Sequence, residues 1–150
     1  LDGMMMGTRC GALDPGVILY LLQHQSMSAA ALTELLYERS GLLGLSGGIS
    51  ASLQELEKSK EGVAKIAIDH YCYSAARQIA GLIPALGALE CLIFTGGIGQ
   101  HSTLVRTKIL SHLEGLGRFA HEVMETDEEQ VMVQSAAPLL RETAPLSIPA

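Results

Sequence analysis

Residues 91–102, CLIFTGGIGQHS, constrain this chain more than any other stretch. Cys91, Leu92, Ile93 and Phe94 form a short continuous apolar run, the pattern of a strand covered on both faces. Thr95, Gly96, Gly97, Ile98 and Gly99 follow at once. Ser102 then caps a helix carrying Leu104, Val105, Ile109, Leu110 and Leu113. Strand, glycine-rich turn and helix make one supersecondary unit, so the class is α/β or α+β. Small residues after a buried strand let a ligand approach the backbone, and free N–H groups at the next helix suit a phosphate or nucleotide. The turn is equally explained as a tight bend packed against a neighbour. Gly97-x-Gly99 lacks the third Gly of GxGxxG, because position 102 is Ser, and the chain contains no GxxxxGK[ST] loop.

The remaining sequence reads mostly as helix. Asp14 is a capping residue and Pro15 suits the first helical position. The continuous apolar run 17–22 predicts that this first helix is buried. Ser28 caps a second helix with Ala31, Leu32, Leu35 and Leu36 on one face, and Gly41 sits where a C-terminal Gly belongs. GLLGLSGGIS, residues 41–50, is too rich in Gly for regular structure and reads as a loop. A long helix is predicted from about Ser52 or Glu61 to Leu86. Glu61, Lys65, Asp69 and Arg77 form its solvated edge. Val63, Ala64, Ile66, Ala67, Ile68, Tyr71, Ala75, Ala76, Ile79 and Ala80 give it a wide apolar face, expected to be mostly buried. Residues 125–130 read as an acidic turn and 131–133 as one more short strand. Met4, Met5 and Met6 read as core.

Composition bounds the function. The 150 residues make one domain or a piece of a larger one. Ten Lys+Arg against 16 Asp+Glu give a net charge of −6, which argues against a general nucleic-acid surface. Hydrophobic residues at 48% and charged residues at 17% exclude a disordered tail. No apolar run approaches the roughly 20 residues that span a bilayer. Cys10, Cys72 and Cys91 are odd in number and widely spaced, as expected of reduced cytoplasmic thiols. The start at Leu1, without a basic leader, and the equally abrupt end suggest part of something larger. The five His show no HExxH spacing, no CxxC is present, and no GxSxG elbow appears, so neither a metal site nor a hydrolase site is expected. Arg9, in the loop Gly7-Thr8-Arg9-Cys10-Gly11, offers a planar donor fork for phosphate or carboxylate oxygens. Its alternatives are a surface position or an ion pair with Asp14. Residues 46–54 line a pocket or simply turn.

Three segments resemble the acetate kinases and their propionate and butyrate relatives. GMMMGTRCGALDPGVILYLL resembles the family's GTR-x-G-x-x-DP segment. SGLLGLSGGIS resembles its GLLG-x-SG-x-S loop. AIDHYCYSAARQIAGLIPALGALECLIFTGGIGQHS resembles its long helix, buried strand and FTGGIGEN or FTGGIGEH turn. The segments are in order and correctly spaced from residue 1 to about 113, and the likeness fades after Gly117.

The resemblance implies an α/β, helix-rich, ribonuclease-H-like domain of the sugar kinase/Hsp70/actin-type fold, here incomplete. It implies a C-terminal nucleotide-binding domain over 1–150, without the N-terminal domain. The implied activity is phosphoryl transfer between ATP and a short-chain carboxylate such as acetate, giving an acyl phosphate and ADP, with Mg²⁺. Arg9 matches the Arg that stabilises the transferring phosphoryl group. Ser52, Leu53 and Gln54 fall where the family holds adenosine, and Gly97, Ile98, Gly99, Gln100 and His101 match its second adenosine loop. Ser52 and Gln54 stand in place of an acid and an Arg, Gln100 in place of Glu, and Gly47-Gly48 carries one extra Gly. The metal ligands and most catalytic residues are expected outside this chain, so these residues alone are expected to be inactive. A homodimer is implied, with the helix from about Gly62 to Leu86 as its surface. The alternative is a non-catalytic remnant that keeps the fold and dimer surface, or only nucleotide binding.

Overall fold

The computed structural model describes residues 1–142. Its elements are α1 (Pro15–Gln23), α2 (Ala29–Glu38), α3 (Gly41–Leu45), α4 (Leu53–Lys58), α5 (Gly62–Leu86), β1 (Cys91–Phe94), α6 (Gly96–His101), α7 (Thr103–Leu113), β2 (Ala120–Val123) and α8 (Glu128–Glu142). A 3-10 turn at Glu114–Leu116 lies between α7 and β2.

The predicted caps form. Asp14 accepts from the Gly16 N–H at 2.6 Å, Ser28 from Ala31 at 3.1 Å and Ser102 from Val105 at 3.0 Å. Each satisfies an N–H that has no partner inside its own helix. β1 and β2 run parallel, with Cys91 opposite Ala120 and Phe94 opposite Val123. A parallel pair needs a crossover, and α6 with α7 supplies it.

The core lies around α5. Ala64, Ala67 and Cys72 are wholly enclosed, with Ile68, Ala75 and Ala76 beside them. They meet Val105, Ile109 and Leu113 of α7, Leu53 and Leu56 of α4, and Met5, Leu42 and Phe94. Small residues on α5 let α7 approach closely, and the Cys72 thiol lies 3.9 Å from the Val105 carbonyl. At the edge of this seam Lys108 Nζ meets Asp69 Oδ1 at 2.6 Å. Asp69 is therefore engaged by a neighbouring helix instead of standing free on a solvated stripe.

Several expectations change. Of the two starts expected for the long helix, Glu61 is borne out: it is the N-cap of α5. Ser59, Lys60 and Glu61 separate α5 from α4, with the Ser59 hydroxyl accepting from the Glu61 N–H at 3.2 Å. The loop 41–50 contains the short helix α3. Residues 131–133 lie in α8, not in a strand. Three consecutive apolar residues satisfy either period, and Asp127 decides it by accepting from the Gln130 N–H at 2.8 Å. β2 was not expected, since Ala120, His121, Glu122 and Val123 are all exposed and show no apolar alternation.

Burial is lower than the apolar patterns predict. α1 has no buried residue, and Val17, Leu19, Tyr20 and Leu22 are exposed. On the outer side of α5, Ile66 is 61% exposed, with Val63, Tyr73 and Leu82 also open. β1 buries only Phe94, and Ile93 is exposed. Periodicity reports an apolar face, and it does not supply the partner that covers it. No helix among the described residues is long and apolar enough to cross a membrane.

Candidate functional site

A cleft of about 880 Å³ opens where the N-terminal loop, α4 and α6 meet. Met4, Met5, Met6, Leu42, Leu53, Tyr71 and Ile98 make its apolar lining. Its polar lining comes from Ser52, Gln54, Glu57, Lys58, His101 and Ser102. A mostly apolar concavity with a few convergent polar groups is the usual form of a small-molecule site.

One wall is α4. Ser52 stands at its N-cap position, where its side chain makes no capping bond, and Gln54 is exposed. Leu53 and Leu56 anchor the helix in the core at 4% and 1% exposure. The opposite wall is α6, which presents Gly97, Ile98 and His101 to the same space. Thr95–Gly99 is thus not a simple turn. A short helix starts at Gly96, whose φ of +69° is a conformation that side chains with a Cβ rarely take. Two segments more than forty residues apart, 52–54 on one wall and Gly97, Ile98 and His101 on the other, therefore share one cleft.

Gly99 and Gln100 do not line it. A Cβ on Gly99 would lie 3.2 Å from the Phe94 carbonyl carbon, so this Gly serves close packing of α6 on β1. The carbonyls of Gly99 and Gln100 each accept from Arg106 Nη1 at 2.8 Å. Arg106 Nη2 also donates to Thr103 Oγ1 at 3.0 Å. One guanidinium from α7 thus holds the C-terminal end of α6.

The third wall is the loop 4–7. Its position is set by α3, where Leu42 donates to the Met6 carbonyl at 3.0 Å and Leu43 to Gly7 at 2.9 Å. Gly41 makes this possible. Its φ is +62°, and a Cβ there would run into the Met6 carbonyl oxygen and lie 2.8 Å from that of Arg9. The Arg9 side chain is exposed and is not among the cleft-lining residues. Its Nη1 lies 4.0 Å from the sulfur of Met6, which does line the cleft, and its Cζ lies 6.0 Å from the Tyr37 ring centroid. No carboxylate engages it among the described residues; the ion pairs there are Arg39–Glu34 and Lys108–Asp69. The expected alternative of an Arg9–Asp14 pair does not form.

Glu57, Lys58, Tyr71 and the Met4–Met6 lining were missed from sequence. Glu57 had a signal: it lies four residues after Leu53, on the same face of α4. Glu57 Oε1 accepts from the Ser102 hydroxyl, which ties α4 to the α6–α7 corner. Burial pushes the Tyr71 hydroxyl above its ordinary value, with the Cys72 thiol adding to the effect. Burial also pushes the Cys72 thiol up, to about 11. Neither group is therefore a nucleophile at neutral pH.

No group of three or more His, Cys, Asp or Glu suited to a metal occurs among the described residues. The cleft residues do not fit a divalent cation, whose oxygen ligands would have to come from elsewhere.

A parallel strand pair joined by a helical crossover, with a cleft beside the first helix of that crossover, forms part of an α/β fold of the sugar kinase/Hsp70/actin type. The chain belongs to the acetokinase family, which it matches over residues 1–139. It is 49% identical over 117 residues to an acetate kinase of Rhodopseudomonas palustris, covering 78% of this chain and 29% of that protein. An acetate kinase of Rickettsia felis is 50% identical over 117 residues, with 78% and 30% covered. The acetate kinase structure from Porphyromonas gingivalis superposes with a TM-score of 0.82 at 30% identity, over 93% of this chain and 41% of that one. A propionate kinase structure from Francisella tularensis also gives 0.82, at 29% identity, with 89% and 40% covered. The chain thus spans about a third of the length of the curated relatives it matches. The expected family and fold are both borne out.

Proposed function

We propose that this chain is the nucleotide-holding portion of a kinase that transfers a phosphoryl group between ATP and a short-chain carboxylate. The single observation carrying this reading is the shared cleft of Ser52, Leu53 and Gln54 with Gly97, Ile98 and His101. Its apolar lining suits a purine, and its size suits a nucleoside. Gly99 and Gln100 support the second wall through their carbonyls. Arg9, exposed beside Met6 and without a carboxylate partner among the described residues, is the group that meets the transferring phosphoryl oxygens. Mg²⁺ would neutralise phosphate charge, with ligands from outside this chain.

The 150 residues alone are inactive in this reading. Phosphoryl transfer is mostly positioning, and one wall of a site does not position both substrates. Two copies pair through the open face of α5, where Val63, Ile66 and Tyr73 lie exposed. The three free thiols support a reducing, cytoplasmic setting.

Thermal unfolding with and without Mg-ATP tests the reading. At a hundredfold excess over Kd, binding to the folded state alone adds about 2.7 kcal/mol and raises the midpoint. The same preparation, given acetate and ATP, should form no acetyl phosphate above the buffer control. A second reading is favoured by Ser52, Gln54 and Gln100, which differ from the family's adenosine residues. It is a remnant that keeps the fold and dimer surface only. An unchanged midpoint at saturating Mg-ATP, with a dimer in sedimentation, supports that second reading.

A further inference from the structure

The cleft is lined by one carboxylate, that of Glu57. Glu57 is half-buried on the inner side of α4, four residues after the anchored Leu53. Its Oε1 accepts from Ser102, whose hydroxyl oxygen in turn accepts from the Val105 N–H at 3.0 Å. Ser102 is only 8% exposed, so its hydroxyl has few orientations open to it. The carboxylate is thereby fixed from a second helix, and Oε2 makes no hydrogen bond among the described residues. A side chain that loses its rotamer freedom to hold an unused acceptor in a cleft is preorganised for a donor from outside.

The chemistry of that donor follows from charge. A fixed carboxylate repels a triphosphate and accepts strongly from hydroxyl groups. Within a nucleotide, the only neutral vicinal hydroxyls are those of the ribose. We infer that Glu57, positioned by Ser102, accepts from the ribose 2′-hydroxyl and makes this cleft selective for ribonucleotides over deoxyribonucleotides. The inference rests on the nucleotide reading above and adds a specificity residue to it. It also sets the direction of the bound molecule: ribose toward Glu57 on α4, phosphates away from that carboxylate. Ser52 and Gln54, neutral at the start of α4, leave Glu57 as the charged acceptor on that wall.

Calorimetric titration of the chain with ATP and with 2′-deoxy-ATP tests this, using the unaltered protein, Glu57→Gln and Glu57→Ala. Gln keeps the shape and an oxygen for Ser102, but it turns the free acceptor into an amide donor. The unaltered chain should prefer ATP by about tenfold, the worth of one charge-assisted hydrogen bond. Both variants should bind the two nucleotides within about twofold of each other. Their affinity for 2′-deoxy-ATP should be no worse than that of the unaltered chain. Equal binding of the two nucleotides by the unaltered chain would overturn the ribose role while leaving the nucleotide reading intact. So would an undiminished preference in Glu57→Gln. Binding of neither nucleotide by the unaltered chain would overturn both.

Discussion

At the scale of single residues, the site depends on positions where one atom more would not fit. Gly41 is the clearest. Its left-handed backbone and the carbonyls of Met6 and Arg9 leave no room for a Cβ. Gly41→Ala should cost at least about 2 kcal/mol in urea unfolding, from backbone strain and displacement of the loop 4–9. Cys72 gives a pH signature. Its thiol is held up to about 11 by burial, against an ordinary 9.0. Between these values the unfolded chain gives up the proton and the folded chain keeps it. Stability should therefore fall as pH rises from about 9 to 11, by at most about 1.4 kcal/mol per pH unit from this group. In Cys72→Ala the fall over that window should be shallower, read as unfolding midpoints at pH 9 and 11. Sequence alone yielded the glycine motif around position 41 as a pattern. It did not yield the contact with residues 6 and 9, because that contact joins segments set by tertiary packing. The family resemblance named Ser52, Leu53, Gln54, Gly97, Ile98 and His101, which share the cleft, and Arg9, which lies outside its lining. Glu57 was not named, since its bond to Ser102 joins positions 45 residues apart.

At the scale of elements, α6 is the least self-sufficient piece of the site. Its sequence, GGIGQH, has three glycines in six residues, and each costs roughly 1 kcal/mol in a helix interior relative to Ala. It forms because its C-terminal carbonyls find donors: Arg106 for Gly99 and Gln100, and the Ser102 N–H for Ile98 at 3.0 Å. Arg106→Ala should raise hydrogen-exchange rates at residues 97–101 by about tenfold or more, consistent with loss of charge-assisted bonds. Exchange in the α5–α7 core should change little. Arg106→Lys should restore protection only in part, because a single ammonium does not reproduce the guanidinium fork. The sequence made the helix starts at Asp14, Ser28 and Ser102 readable, since a cap is a local event. It misread 95–99 as a turn and 131–133 as a strand, where the deciding contacts come from Arg106 and Asp127. β2 was invisible because its four residues gain their structure from pairing with β1, with no buried face to imprint a pattern.

At the scale of the whole molecule, part of the surface explains itself within the chain and part is apolar and open. α5 is covered by α3, α4 and α7 on its inner side, and open at Val63, Ile66 and Tyr73 on the other. α1 and the outer face of β1 are open as well. An apolar run predicts burial correctly only when the covering surface belongs to the same chain, and here the chain spans about a third of its relatives' length. The central claim concerns the side that does explain itself: that the cleft between α4 and α6 receives a nucleotide. Amide chemical shifts during titration with Mg-ATP test it most directly, because they report both binding and place. The predicted result is a saturable shift confined to residues 4–7, 52–58 and 96–102, with α1 and α8 unmoved. Shifts that cluster elsewhere, or none at millimolar nucleotide, would contradict it.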